Sequence, residues 1–173
     1  MTLDRIGILA AVVAALLLAE RFVAARPAVR GHRWALNLGL GAVNFGLGVL
    51  LSALFAVAAA TWASEAGFGL FNWADAPLWL AAPLAVVLLD MAVYWQHRAL
   101  HAVPFLWPLH RLHHRDTAMD LTTGVRFHPG EIVVSGFWKA GVAALLGAPV
   151  AAVVVFEVIL TVASLWEHTN LRL

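Results

Sequence analysis

The chain contains no cysteine. That absence removes disulfides, iron–sulfur clusters, thiolate metal sites and thiol nucleophiles together. Charge is scarce as well. Only 12% of residues are charged, against about 25% in an ordinary soluble domain. Eleven basic and ten acidic residues nearly cancel, and the basic ones gather on no soluble patch, so no nucleic-acid partner is expected. A glycine-rich phosphate loop after a strand, an HExxH pair and a GxSxG elbow are also missing. Any metal must therefore be held by His, Asp or Glu.

What is abundant is apolar: 62% of the 173 residues are hydrophobic, and the mean hydropathy is +0.85. Ile6–Ala19 is an unbroken apolar run that continues through Phe22–Ala25, long enough to span a bilayer, which needs about 20 residues. Arg26, Arg30 and Arg33 follow it, as a stop-transfer flank would and a signal-peptide cleavage site would not. Leu36–Trp62 reads as a second span, with Gly39, Gly41, Gly46 and Gly48 allowing close helix approach. Asn37 and Asn44 should face protein rather than lipid. A loop follows over Ser64–Ala76. A third span starts near Pro77 and runs to about Trp95. Ile132–Trp166 is apolar again but broken at Gly147-Ala148-Pro149, which suggests a helical hairpin. The expected fold is all-α: an integral membrane helical bundle of about three spanning helices plus that hairpin. It forms one domain over 1–173, with 1–76 the N-terminal helix pair and 77–173 the histidine-bearing region and hairpin.

Basic residues set the expected orientation. Arg21, Arg26, Arg30 and Arg33 follow span one, none follows span two, and Arg98, Arg111, Arg115 and Arg126 follow span three. Both basic regions should then be cytoplasmic, with the N-terminus outside, in a membrane expected to be a bacterial inner membrane.

Five histidines fall between His97 and His114, as His97-x3-His101 and His110-x2-His113-His114. On a helix, positions three and four apart share a face, so each group can aim its imidazoles at one point. Pro104 and Pro108 should break the helix between them and let the chain fold back. The two groups could then share a metal site, since imidazole is the usual nitrogen ligand for iron, zinc and copper. The alternative is a wet basic interfacial helix with histidines spaced by chance. Asp90, Tyr94, His97 and His101 stand at offsets 0, 4, 7 and 11, a single stripe. Asp90 could accept a hydrogen bond from a ligating imidazole and fix its tautomer, or bond to a neighbouring helix. Glu157 either shares the polar face of His168 or bonds inside the hairpin. His128, in Arg126-Phe127-His128-Pro129-Gly130-Glu131, reads as a turn that caps the next helix, a supporting rather than ligating position. His32 reads as an interfacial anchor.

The run Asp90-x3-Tyr94-x2-His97-Arg98-x2-His101-x2-Pro104-x-Leu106-Trp107-x2-His110-x2-His113-His114 resembles the fatty acid hydroxylase/sterol desaturase superfamily. Thr123-x2-Arg126-x-His128-Pro129-x-Glu131 and His168-x-Asn170 extend the match. The resemblance is specific from about Leu89 to Glu131. It implies a membrane oxidoreductase with a dinuclear non-haem iron centre. Such an enzyme hydroxylates or desaturates a bilayer lipid with O2 and electrons from a reductase, ferredoxin or cytochrome. His97, His101, His110, His113, His114 and His168 would be the metal ligands, with Asp90, Tyr94, His128, Glu131 and Asn170 as candidates to support them. The superfamily carries a further HxxHH near its C-terminus. This chain has none before Leu173, so a fragment is expected, and a degenerate metal-binding member or a transport or scaffold protein with a histidine-rich loop is the alternative.

Overall fold

The computed structural model describes residues 2–27 and 31–172; Arg30, counted above in the first basic loop, lies outside the described residues. Among the described residues seven α-helices follow one another: α1 Thr2–Val23, α2 His32–Glu65, α3 Leu70–Trp73, α4 Leu78–Ala102, α5 Trp107–His114, α6 Pro129–Leu146 and α7 Val150–Glu167. A 3-10 turn at Leu121–Val125 links α5 to α6. Among the described residues there is no strand, only an isolated antiparallel bridge between Ala24 and Leu171. The protein is an all-helical bundle, and α1, α2 and α4 occupy the segments read as spans. The break at Gly147-Ala148-Pro149 separates α6 from α7. The segment read as a loop at Ser64–Ala76 contains the short helix α3.

Among the described residues two helices are long and apolar enough to cross a membrane: α4, with a mean hydropathy of 1.8, and α7, with 2.0. Only 17% of the α4 window and 22% of the α7 window is buried inside the protein. A soluble core helix would show the reverse. The outward side chains of α4 include Trp79, Val87, Met91 and Trp95.

The inward side is built from small residues. Ala81, Ala85 and Leu89 recur every four residues on α4 and are buried against Ala56 and Ala60 of α2, Ala143 of α6, and Ala152, Val153 and Phe156 of α7. Alanine suits this role because lipid tails are as apolar as any side chain. Helices in a bilayer therefore gain more from close packing than from burial of bulk. The α3 turn touches the hairpin most tightly. Gly69 (φ 100°) lies where an added Cβ would stand 2.2 Å from the backbone nitrogen of Gly147, so only glycine fits there.

At 34 residues, α2 is about 51 Å long at 1.5 Å per residue, more than the hydrocarbon core of about 30 Å. His32 and Arg33 open it. There Arg33 meets Asp116 and Asp120, while Arg26 pairs through its backbone with Asn170. The two basic regions read from the sequence thus lie at one end of the bundle, with the histidines. Asn37 and Asn44 are buried; Asn44 donates to the carbonyl of Phe127.

Candidate metal centre

The last turns of α4 carry His97 and His101 on one face. Val103 then adopts extended backbone (φ −94°, ψ 115°), as a residue before proline must, and the helix ends. The carbonyl of Val103 accepts from both Leu106 and Trp107, which closes a tight reversal. Pro108 falls in the first turn of α5, where its missing N–H costs nothing. α5 runs back over the end of α4 and presents His110, His113 and His114. α7 ends at Glu167, and His168 caps it.

Six imidazoles meet there. Their Nε2 atoms face each other in three pairs: His97 and His101 at 3.2 Å, His110 and His114 at 3.1 Å, and His113 and His168 at 3.0 Å. The ligand atoms of His97, His101 and His110 all lie within 4.8 Å of one another. His110 is fully buried at the centre, while His97, His101 and His114 reach the surface.

The opposite nitrogens decide what these pairs mean. Nδ1 of His113 is 3.2 Å from the carbonyl oxygen of Arg126, and Nδ1 of His168 is 2.6 Å from that of Ser164. A carbonyl only accepts, so both Nδ1 atoms must carry the proton. In each neutral ring Nε2 is then a bare lone pair. Two lone pairs opposed at 3.0 Å repel unless a cation stands between them. A proton is a poor candidate, because burial, helped by His168 and His110, pushes His113 down to about 4. Nδ1 of His110 likewise sits 2.9 Å from Oε1 of Glu131, the carboxylate–histidine arrangement that orients metal-bound imidazoles. The donor set fits a nitrogen-liking metal ion.

A family model, fatty acid hydroxylase, matches residues 82–173, just over half of the chain and all six of these histidines. The chain belongs to the fatty acid hydroxylase family. Two relatives agree. A protein of Arabidopsis thaliana named for sterol desaturation, Delta(7)-sterol-C5(6)-desaturase 2, is 36% identical over 63 residues, 34% of this chain and 22% of that protein. Alkylglycerol monooxygenase of Danio rerio is 32% identical over 100 residues, 57% of this chain and 21% of that protein. The chain thus spans about a fifth of the length of these relatives. No solved structure matches.

The other residues of the family-like motif have different stations. Glu131 and His128 both stand at the start of α6. Glu131 is buried in the first turn of α6 behind His110, and His128 caps the same helix, its Nδ1 accepting from Gly130. Asp90 and Tyr94 do not touch the imidazoles. Asp90 is exposed and makes no hydrogen bond to a histidine, and Tyr94 is exposed with its hydroxyl beside Arg98. Asn170 ties the chain after α7 to Arg26, a clamp between elements. Glu157 bonds inside the hairpin, with both oxygens within 2.9 Å of Nζ of Lys139. His32 is exposed at the start of α2.

Sequence reasoning missed the frame around the centre. Phe127 stacks on His113 with rings 4.8 Å apart and an interplanar angle of 1°. Arg126 donates to the carbonyl of Leu112 and to Asn37. Asp116 accepts from Arg33, Asn37 and Thr123, and Asp120 from Arg33, Trp34 and Thr122. No periodicity reveals the bonds to Arg33, Trp34 and Asn37, whose partners stand 79 to 89 residues away.

This frame sets an acid limit. Burial alone would raise the Asp116 carboxyl, but bonds from Arg33, Asn37 and Thr123 outweigh it and hold the group down to about 2. Asp120 is lowered in the same way. A carboxyl depressed by folding contributes stability that is present above its unfolded value, 3.8, and lost as pH falls toward its folded one. Near-ultraviolet circular dichroism in detergent should therefore show the tertiary signal lost between about pH 4 and 2. Asp116→Asn should lack most of that acid step; an identical step in the variant would remove Asp116 as its cause.

Proposed function

We propose that this chain carries the metal-binding core of a membrane lipid C–H oxidoreductase, a hydroxylase or desaturase of a fatty acyl, sterol or related lipid. The observation that carries the reading is the set of Nε2 lone pairs turned inward with Nδ1 anchored on oxygen acceptors. His97, His101, His110, His113, His114 and His168 would hold a dinuclear non-haem iron centre. Such a centre supplies the O2-dependent oxidising chemistry that an unactivated C–H bond requires, and no side chain can supply it. The protein's own part is to hold the ligands oriented and partly dry. Glu131 fixes the tautomer of His110, the carbonyls of Arg126 and Ser164 fix those of His113 and His168, and Phe127 immobilises the His113 ring.

Two apolar helices and the family's chemistry support a site at a membrane surface, supplied with lipid from the bilayer. The basic residues at this end support a cytoplasmic placement. Exposed Arg111 on α5, the helix that bears three of the histidines, and exposed Arg115 at its C-terminal cap would favour an acidic reductase, ferredoxin or cytochrome as the electron donor.

The test is metal content followed by turnover. The chain, expressed with added iron and purified in mild detergent, should retain close to two irons, as the reading requires. His113→Ala should lose them, and reductant plus lipid vesicles should start O2 uptake. No metal above a His-free control would sink the reading. Bound iron with no O2 uptake would replace it with a non-catalytic metal protein.

A further inference from the structure

The histidines sit at one end of α4, beyond the exposed aromatic pair Tyr94 and Trp95, which marks interface depth on a spanning helix. A lipid chain must therefore leave the hydrocarbon to reach them. At that depth the α4–α5 reversal exposes apolar side chains that no fold requirement explains. Phe105 is 86% exposed and Val103 40%. Next to them an open cleft of about 370 Å³ is lined by His101, Ala102, Pro104 and Trp107. Its one polar wall is His101, a ligand candidate. Beside it stands the Trp107 indole, whose ring packs 5.6 Å from His101 and 5.7 Å from His114.

We propose that this cleft is the lipid entry: the apolar chain of a bilayer lipid passes Phe105 and lies in the cleft beside His101 and Trp107, and Trp107 limits how far it advances. The proposal rests on the metal-centre reading above. A hydrated or charged ligand finds one imidazole and three apolar walls there, and so gains little for its lost water. A methylene chain gains contact along the whole cleft and loses exposure to water at each step. Trp107 is a specificity-determining wall, since it packs on two imidazoles and leaves the cleft as the remaining space beside them.

Photolabelling tests this. The iron-loaded chain is placed in phosphatidylcholine vesicles that include a phosphatidylcholine with a diazirine at one acyl terminus. It is irradiated, and the adducts are mapped by mass spectrometry. His101 and Trp107 should be labelled well above Asp75 in the polar loop before α4. Phe105→Ser, an exposed change that leaves folding intact, should cut labelling of both by about tenfold, the scale of one aromatic side chain's apolar contact, with iron content unchanged. Trp107→Ala should extend labelling to His114. Labelling of His101 and Trp107 at the Asp75 level, or unchanged in Phe105→Ser, would overturn the entry. Iron retained without cleft labelling removes the entry alone, whereas cleft labelling without iron removes the metal reading and leaves a lipid-binding cleft.

Discussion

Replacing His110 with alanine is expected to empty the centre. His110 is fully buried, and its ring lies 4.6 Å from that of His97, 4.7 Å from that of His101 and 4.8 Å from that of His114. It packs against both imidazoles of the α4 group as well as against His114 of its own. Alanine removes a ligand and leaves a second fault behind it. Glu131 is buried, and its Oε2 already has no hydrogen-bond partner; without His110, Oε1 loses its partner as well. An isolated buried carboxylate is costly, so the first turn of α6 should shift or take up a proton. Glu131→Gln separates these effects. It keeps the ligand and removes only the charge behind it, a change worth about 10–100-fold in metal affinity. His110→Ala should lose more than that, and metal titration followed by visible absorption would read both. Equal losses in the two variants would mean that His110 is a strut for Glu131 and not a ligand.

The helical plan was legible because proline and glycine punctuate it. Pro104 and Pro108 end α4 and begin α5, and Gly147 to Pro149 divides the hairpin. The convergence of HxxxH and HxxHH was legible for the same reason: a reversal placed between two helical faces brings them together. Direction was not. Asp90, Tyr94, His97 and His101 do share a face, but that face is exposed, while Leu89, Gln96 and Leu100 take the buried side. Offsets state which residues are neighbours on a helix and not what the helix faces. The histidines work from this exposed face because α5 folds over them, whereas Asp90, two turns away, is left uncovered. Glu157 was undecided because its partner, Lys139, is an unremarkable lysine until the hairpin closes.

Arg33→Ala should be the most destabilising single change outside the histidines. The Arg33 side chain is 13% exposed, and its partners Asp116 and Asp120 are 1% and 7% exposed, each with one N–O distance of 2.6 Å. Its guanidinium also donates to the carbonyl of Ala118 and to Thr123. A surface ion pair is worth about 0–1 kcal/mol, but removing one partner of a buried pair costs about 3–5 kcal/mol, because the charge left behind stays buried. Here one cation serves two carboxylates. Asp120 also caps the 3-10 turn, and Asn37 links Asp116 to Arg126, which holds the end of α5 through the carbonyl of Leu112. The fault should therefore reach His113 and His114, so that the thermal midpoint in detergent and the bound iron fall together. Arg33→Lys tests whether charge suffices. An ammonium restores the charge but not the planar fork that reaches both carboxylates at once, so it should recover only part of the loss. A full rescue by lysine would make net charge, rather than the forked geometry, what ties α2 to the histidine-bearing α5. A change below about 1 kcal/mol in Arg33→Ala would put the cluster in the class of solvated surface pairs, with the 3-10 cap and the α5 reversal sufficient to hold the histidines in place.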